Sequence, residues 1–325
     1  MWVDYAKSIG VFLVILGHLW YSSKYPYVNQ LIYSFHMPMF FILSGFVYNA
    51  CKKINFWEYA IGKFKRIAIP TIFFLILGVI KQYFVGTHSL RKLIKLFIFY
   101  EGKCPFNSPC WFFIVLFEIY IFIYLIRPLL TKKLSTLFLT FLFFMMGFAL
   151  YYFKVFVPFG IDKAFIATGF FTLGILFKQI YLDLKTKQIN KNILLALFIP
   201  IVIAWFTIAI YNPKVSFYAV QLNNYWYFIT TGITGTIVIC VISYLISKIR
   251  VFKVITPWQD NSIFIVGTHY FFVYDFLQIA GKYNLLFTTE FVFIIIEFTL
   301  LLLLLYRPIC KFLDKKFPLI TGKTK

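Results

Sequence analysis

A segment that crosses a bilayer must satisfy its own backbone N–H and C=O groups, because no water is present in the hydrocarbon core to do so. An α-helix of about twenty mostly apolar residues is the common solution. Cut at its polar and Pro/Gly-rich interruptions, this chain yields about ten runs of that length. They fall approximately at 2–21, 30–50, 67–86, 109–128, 134–152, 164–181, 192–211, 222–247, 261–280 and 286–306. Of its 325 residues 62% are hydrophobic and 13% charged, a balance that excludes a water-soluble globular domain. The expected fold is an all-α polytopic membrane protein with about ten transmembrane helices, forming a single membrane-embedded domain over residues 1–325.

The formal net charge of +21 could point to nucleic acid, but the cations cluster between the apolar runs, where the positive-inside bias accounts for them. No nucleic-acid partner is expected. Most of the 32 lysines and arginines fall on one side of the predicted helices, which places both termini in the cytoplasm. Residues 88–100 alternate Arg91, Lys92 and Lys95 with Leu93, Leu96 and Phe97, the pattern of a short amphipathic helix on the membrane surface. The first apolar run carries an acid and bases and ends without a small-residue cleavage site, so it reads as a retained helix. Neither the five cysteines nor the four histidines show metal-ligand spacing, and no metal is expected. Cys104 and Cys110 share one loop, as two free thiols or as a disulfide if that loop faces an oxidising compartment.

Ionisable side chains inside a membrane helix cost at least about 2.5 kcal/mol each on insertion scales and persist mainly where a function or a partner holds them. The first run, DYAKSIGVFLVILGH, contains Asp4, Lys7 and His18. Lys7 and His18 share one helix face, about 20° from alignment and roughly 16 Å apart along the axis. Helix 1 runs outward and helix 2 returns, so His18 and His36 reach similar depth in the outer half of the membrane. Alone, either histidine could be satisfied structurally by a neighbouring helix; at matching depth, above Asp4 and Lys7, they mark a candidate polar site. Arg66 precedes Pro70 at the start of helix 3, and with Lys7 it could bind a phosphorylated cytoplasmic ligand. Lys63 and Lys65 read instead as snorkelling residues. His269 shares a face with Ser262, and Glu118 shares one with Trp111; each could line the site or make a structural interhelical bond. Trp111 and Phe112 read as interface anchors, while Asp275 has no evident partner.

The segments DYAKSIGVFLVILGH, YSFHMPMFFILSGF, KRIAIP, NSPCWFFIVLFE and SIFIVGTHYF together resemble the acyltransferase 3 family of integral membrane acyltransferases, especially its fucose 4-O-acetylase-like branch. Family members typically place an arginine ahead of an essential histidine in helix 1; this sequence matches His18 and has Lys7 at the arginine position. The resemblance implies O-acyl transfer, usually acetyl, from cytoplasmic acyl-CoA to a sugar hydroxyl of a surface glycan or its precursor. It also implies a multi-pass protein of a bacterial cytoplasmic membrane, with no permanently bound cofactor and with lipids as neighbours.

On that reading His18 is the base that activates the hydroxyl. His36 orients the acceptor, stabilises the oxyanion or relays the acyl group covalently, and the sequence does not choose. Lys7 and Arg66 hold the donor phosphates, Asp4 steadies Lys7, and Glu118 and His269 support. The alternatives are a transporter or flippase for a lipid-linked sugar, or a non-catalytic accessory of polysaccharide assembly. Transporters often carry inverted repeats and broken helices in matching halves, and neither is evident here.

Overall fold

The computed structural model describes residues 2–20, 23–86, 89–99, 108–185, 191–249 and 257–323. The described chain is almost wholly helical; among these residues the only β feature is an isolated bridge between Ser216 and Gln221. The helices are α1 (Trp2–Trp20), α2 (Pro26–Val47), α3 (Phe56–Lys63), α4 (Ile69–Phe84), α5 (Leu90–Phe99), α6 (Trp111–Ile126) and α7 (Lys133–Tyr152). They continue with α8 (Ile161–Lys185), α9 (Lys191–Tyr211), α10 (Tyr225–Ile246), α11 (Pro257–Asp260), α12 (Ser262–Lys282) and α13 (Thr289–Lys316). Nine stretches among the described residues are long and apolar enough to cross a membrane, with α3 and α4 counted as one, and Ala196–Tyr211 within α9 is apolar but shorter.

The two largest departures from the predicted boundaries are at the third span and the last helix. The third span begins at Phe56 rather than residue 67, because a π-helical turn over Phe64–Ala68 joins α3 to α4. The last helix continues ten residues beyond its predicted end, through Pro308 to Lys316. The amphipathic segment is helical over Leu90–Phe99, with Leu93 buried and Arg91, Lys92 and Lys95 exposed. His88 and Cys104 lie outside the described residues, and Cys110 is a buried free thiol.

Helix starts are fixed by side-chain caps: Asn224 accepts from the Tyr227 N–H at 3.0 Å, and Thr288 accepts from the Phe291 N–H at 3.2 Å. Inside the bundle, small residues set how close helices come. A Cβ on Gly45 of α2 would run into the carbonyl of Phe171 on α8, and one on Gly174 of α8 would run into the carbonyl of Ile42 on α2. This reciprocal contact makes α2 and α8 a tightly packed central pair. Pro38 interrupts α2 without ending it. Having no N–H, it leaves the Ser34 carbonyl without its helical donor, and the Thr231 hydroxyl of α10 lies 3.2 Å from that carbonyl while sharing its one proton with the Tyr227 carbonyl at 2.8 Å.

Around this pair, α1 packs against α2, α10, α12 and α13. Asp275 of α12 does have a partner: Lys81 of α4 donates to both of its carboxylate oxygens at 2.8 Å. Trp111 and Phe112 are buried against Phe41 and are not interface anchors.

Gly174→Leu must push the Ile42 carbonyl away, and overpacking of this kind costs about 1–3 kcal/mol. The unfolding midpoint of that variant in detergent should fall clearly below wild type, and an unchanged midpoint would refute the close α2–α8 contact.

Candidate functional site

The polar groups of α1 lie at two levels. At the lower level Lys7 faces a cavity of about 1000 Å³. The cavity is walled by α1, α2, α3, the π-helical turn, α6, α11, the start of α12 and the residues after α13. Lysines and arginines on its wall, among them Lys7, Lys63, Arg66, Arg127 and Lys323, outnumber the carboxylates Glu58 and Asp260. A concave site of one dominant sign concentrates ions of the other, so the charge of this wall suits an anionic ligand. Lys7 and Lys323 share it, so the two ends of the described chain lie on one face of the bundle.

Each of these cations is positioned by local structure. Arg66 sits on the π-helical turn, closed by the Ile69 N–H bonding back to the Phe64 carbonyl. Such turns recur at functional sites because they re-aim side chains relative to a regular helix. The Lys63 ammonium lies 3.4 Å from the centre of the Tyr120 ring, which makes it part of the cavity wall rather than a snorkelling group. Lys65 lines the cavity too. Arg127 stacks 4.1 Å from Tyr124 and donates to the carbonyls of Lys52 and Ile54, an arrangement that builds the wall. Asp4, one turn before Lys7, acts on it electrostatically together with Arg66 and Asp260. Burial pushes the Asp260 carboxyl up from the ordinary carboxylate range, while the Lys323 charge pulls it back.

At the upper level three histidines gather. Gly17 makes this possible: a Cβ there would stand 3.1 Å from Ile32 and from the Tyr33 ring, so α2 comes close enough for Tyr33 to reach His18. The Tyr33 hydroxyl lies 3.2 Å from His18 Nδ1. The His18 ring centre is 5.3 Å from that of His269 and 4.9 Å from Tyr270, and Tyr33 stacks edge-on to His36 at 5.0 Å. His36 therefore joins the cluster through Tyr33, and His269 joins it directly.

A carbonyl oxygen can only accept a hydrogen bond, so the backbone assigns two of the three tautomers. His36 Nδ1–H donates to Ile32 O at 2.8 Å, and His269 Nδ1–H donates to Val266 O at 2.9 Å. Both must then present an unprotonated Nε2 while neutral. The His269 Nε2 is buried with no hydrogen-bond partner among the described residues. For His18 the partner is a hydroxyl, which can accept or donate.

The structure thus brings His18, His36 and His269 together, and separately Lys7, Arg66 and Asp4. Glu118 of α6, half-buried, does not line the cavity. Sequence reasoning passed over Tyr33 and Tyr270, each a helix neighbour of a histidine, although Tyr33 stands one turn before His36. No cluster of histidine, cysteine and acidic residues suited to a metal ion occurs among the described residues.

Nitrogen-15 NMR of histidine-labelled protein should report the Nδ1–H tautomer for His36 and His269 at neutral pH; Nε2–H signals for either would contradict these hydrogen bonds.

A family model describing an acyltransferase domain, that of the acyltransferase 3 family, matches residues 1–307. No curated protein and no solved structure matches the chain.

Proposed function

The chain belongs to the acyltransferase 3 family of membrane acyltransferases, and from that premise we propose that it is an O-acetyltransferase of the fucose 4-O-acetylase-like branch. In this reading acyl-CoA enters from the cytoplasm, and the acyl group is passed to a sugar hydroxyl of a cell-surface glycan or its lipid-linked precursor. The protein works in the bacterial cell membrane with the Lys7 face inward, as the positive-inside bias supports. One observation carries the proposal: a cation-lined cavity and a histidine cluster lie at the two ends of a single stripe of α1. That stripe runs Lys7, Val11, Val14, His18, with both valines buried and the two polar ends roughly 16 Å apart.

The volume supports a large donor. Pockets for drug-sized ligands span about 300–1,000 Å³, and this cavity is at the top of that range. Lys7 and Arg66 take the phosphates, Arg66 through charge-assisted bonds suited to phosphate oxygens. The thin pantetheine arm then follows Val11 and Val14 and brings the thioester to His18.

At that level the acceptor hydroxyl is the nucleophile. His18 donates Nδ1–H to Tyr33, and its Nε2 removes the hydroxyl proton as the oxygen attacks the thioester carbonyl. The C–S bond breaks, an ester forms, and the His18 imidazolium returns the proton to the departing thiolate. His36 and His269, with Nε2 lone pairs and no ring proton on that side, accept hydrogen bonds from the sugar and orient it. A neutral Nε2 acceptor cannot stabilise an oxyanion, so the tautomer leaves His36 two roles, orienting the acceptor or relaying the acyl group through its lone pair. The family match favours this enzyme over a transporter of lipid-linked sugar.

The test is acetyl-CoA consumption by purified protein in lipid with a panel of envelope sugars. His18→Ala should lower turnover by about 10²–10⁴-fold, the range of a general base. Lys7→Ala should raise the donor KM about tenfold while changing kcat much less, as expected for loss of a charge-assisted phosphate contact. Full turnover in the His18 variant would sink the assignment of the base, and sugar movement coupled to an ion gradient without donor consumption would replace the enzyme with a transporter.

A further inference from the structure

The cavity wall extends beyond the 307 residues of the family match. After α13 ends at Lys316 the chain folds back, Thr321 and Gly322 are buried, and Thr321, Gly322 and Lys323 line the cavity. Two contacts seat this segment. Gly322 has φ +74°, and a Cβ on it would lie 2.6 Å from the Arg66 carbonyl oxygen and 2.9 Å from Ile263. Only a residue without a side chain accepts both that backbone conformation and that approach. Pro70 stands four residues after Arg66 and has no N–H to return to the same carbonyl, which leaves room for the segment to lie on it.

The second contact is an ion pair. Lys323 Nζ is 2.5 Å from Asp314 Oδ2, with the two side chains 39% and 24% exposed. The other oxygen, Asp314 Oδ1, is buried without a hydrogen-bond partner among the described residues, so this pair is held on one side alone. The Lys323 charge also acts on Asp260. Lys323 therefore acts on two carboxylates, Asp314 and Asp260, and lines the cavity that Lys7 and Arg66 also line. A partly exposed pair of this kind contributes little to stability, typically below about 1 kcal/mol, so its ammonium can exchange partners at small cost.

We propose that residues 317–323 form a strap that completes the donor cavity, and that Lys323 is a third phosphate-binding cation, held by Asp314 until the donor arrives. The proposal rests on the acyl-CoA reading above. Arrival of a phosphate replaces one anionic partner of the ammonium with another, and Asp314 competes for it.

Titration calorimetry of the full chain in lipid nanodiscs with coenzyme A tests this with three variants. Lys323→Gln should bind coenzyme A about tenfold more weakly, the loss expected for one charge-assisted bond. Asp314→Asn removes the competitor and should bind several-fold more tightly. Gly322→Ala keeps every charge but unseats the strap and should also weaken binding, which separates the strap from general electrostatics. Unchanged affinity in Lys323→Gln or in Gly322→Ala overturns the proposal, as does weakened binding in Asp314→Asn, which would make the pair structural. Wild-type protein that does not bind coenzyme A overturns the donor reading itself, a result visible before any variant is compared.

Discussion

A cation or an imidazole inside a bilayer must be shielded from lipid, and α1 carries both. Placing such groups within a spanning helix costs a few kcal/mol apiece unless protein surrounds them. The architecture answers that demand: α2, α10, α12 and α13 pack around α1, so Lys7 opens onto a protein-lined cavity and His18 onto other histidines and tyrosines. Gly17 thins the helix where Tyr33 must approach, and Gly10, seven residues earlier on the same side, does so where Met39 and Phe40 pack. The α1–α2 seam is thereby close at both functional levels.

Prolines do related work along the bundle. Each removes one helical donor and leaves a carbonyl four residues earlier to be satisfied or approached by another element. At Pro38 the carbonyl of Ser34 is approached by the Thr231 hydroxyl where α2 meets α10. At Pro70 the carbonyl of Arg66 becomes the seat of Gly322. A residue type that breaks helices in water thus supplies, within this membrane bundle, the polar points at which helices and a terminal segment dock.

What the sequence discloses is what depends on local period and on the length of a membrane crossing. The spans, the amphipathic helix over Leu90–Phe99 and the shared depth of His18 and His36 all follow from counting residues along helices. The direct approach of His269 to His18 does not, because it is set by how α12 lies against α1 across more than 240 positions. For the same reason Lys63 reads as an interfacial lysine until α6 brings the Tyr120 ring beneath it. Trp111 and Phe112 look like interface aromatics until Phe41 and Phe217 bury Trp111 and Phe41 covers Phe112. The continuation of α13 past Pro308 is hidden from a reading that takes the proline as a stop, because a proline inside a helix removes a single donor and need not end it.

Between the two levels of α1 the shared stripe carries only Val11 and Val14, with Ile15 beside them, all packed to near-zero exposure. Apolar packing of this kind offers a file of water no polar partners, and so opposes a wire for protons along this stripe. In a membrane that stores energy as a voltage, a packed apolar stretch of this kind resists the leak that a polar channel would allow. In the proposed reaction the only object to enter this stretch is the narrow arm of the donor, which fills the gap it makes, so an acyl group can leave the cytoplasm while that resistance is kept.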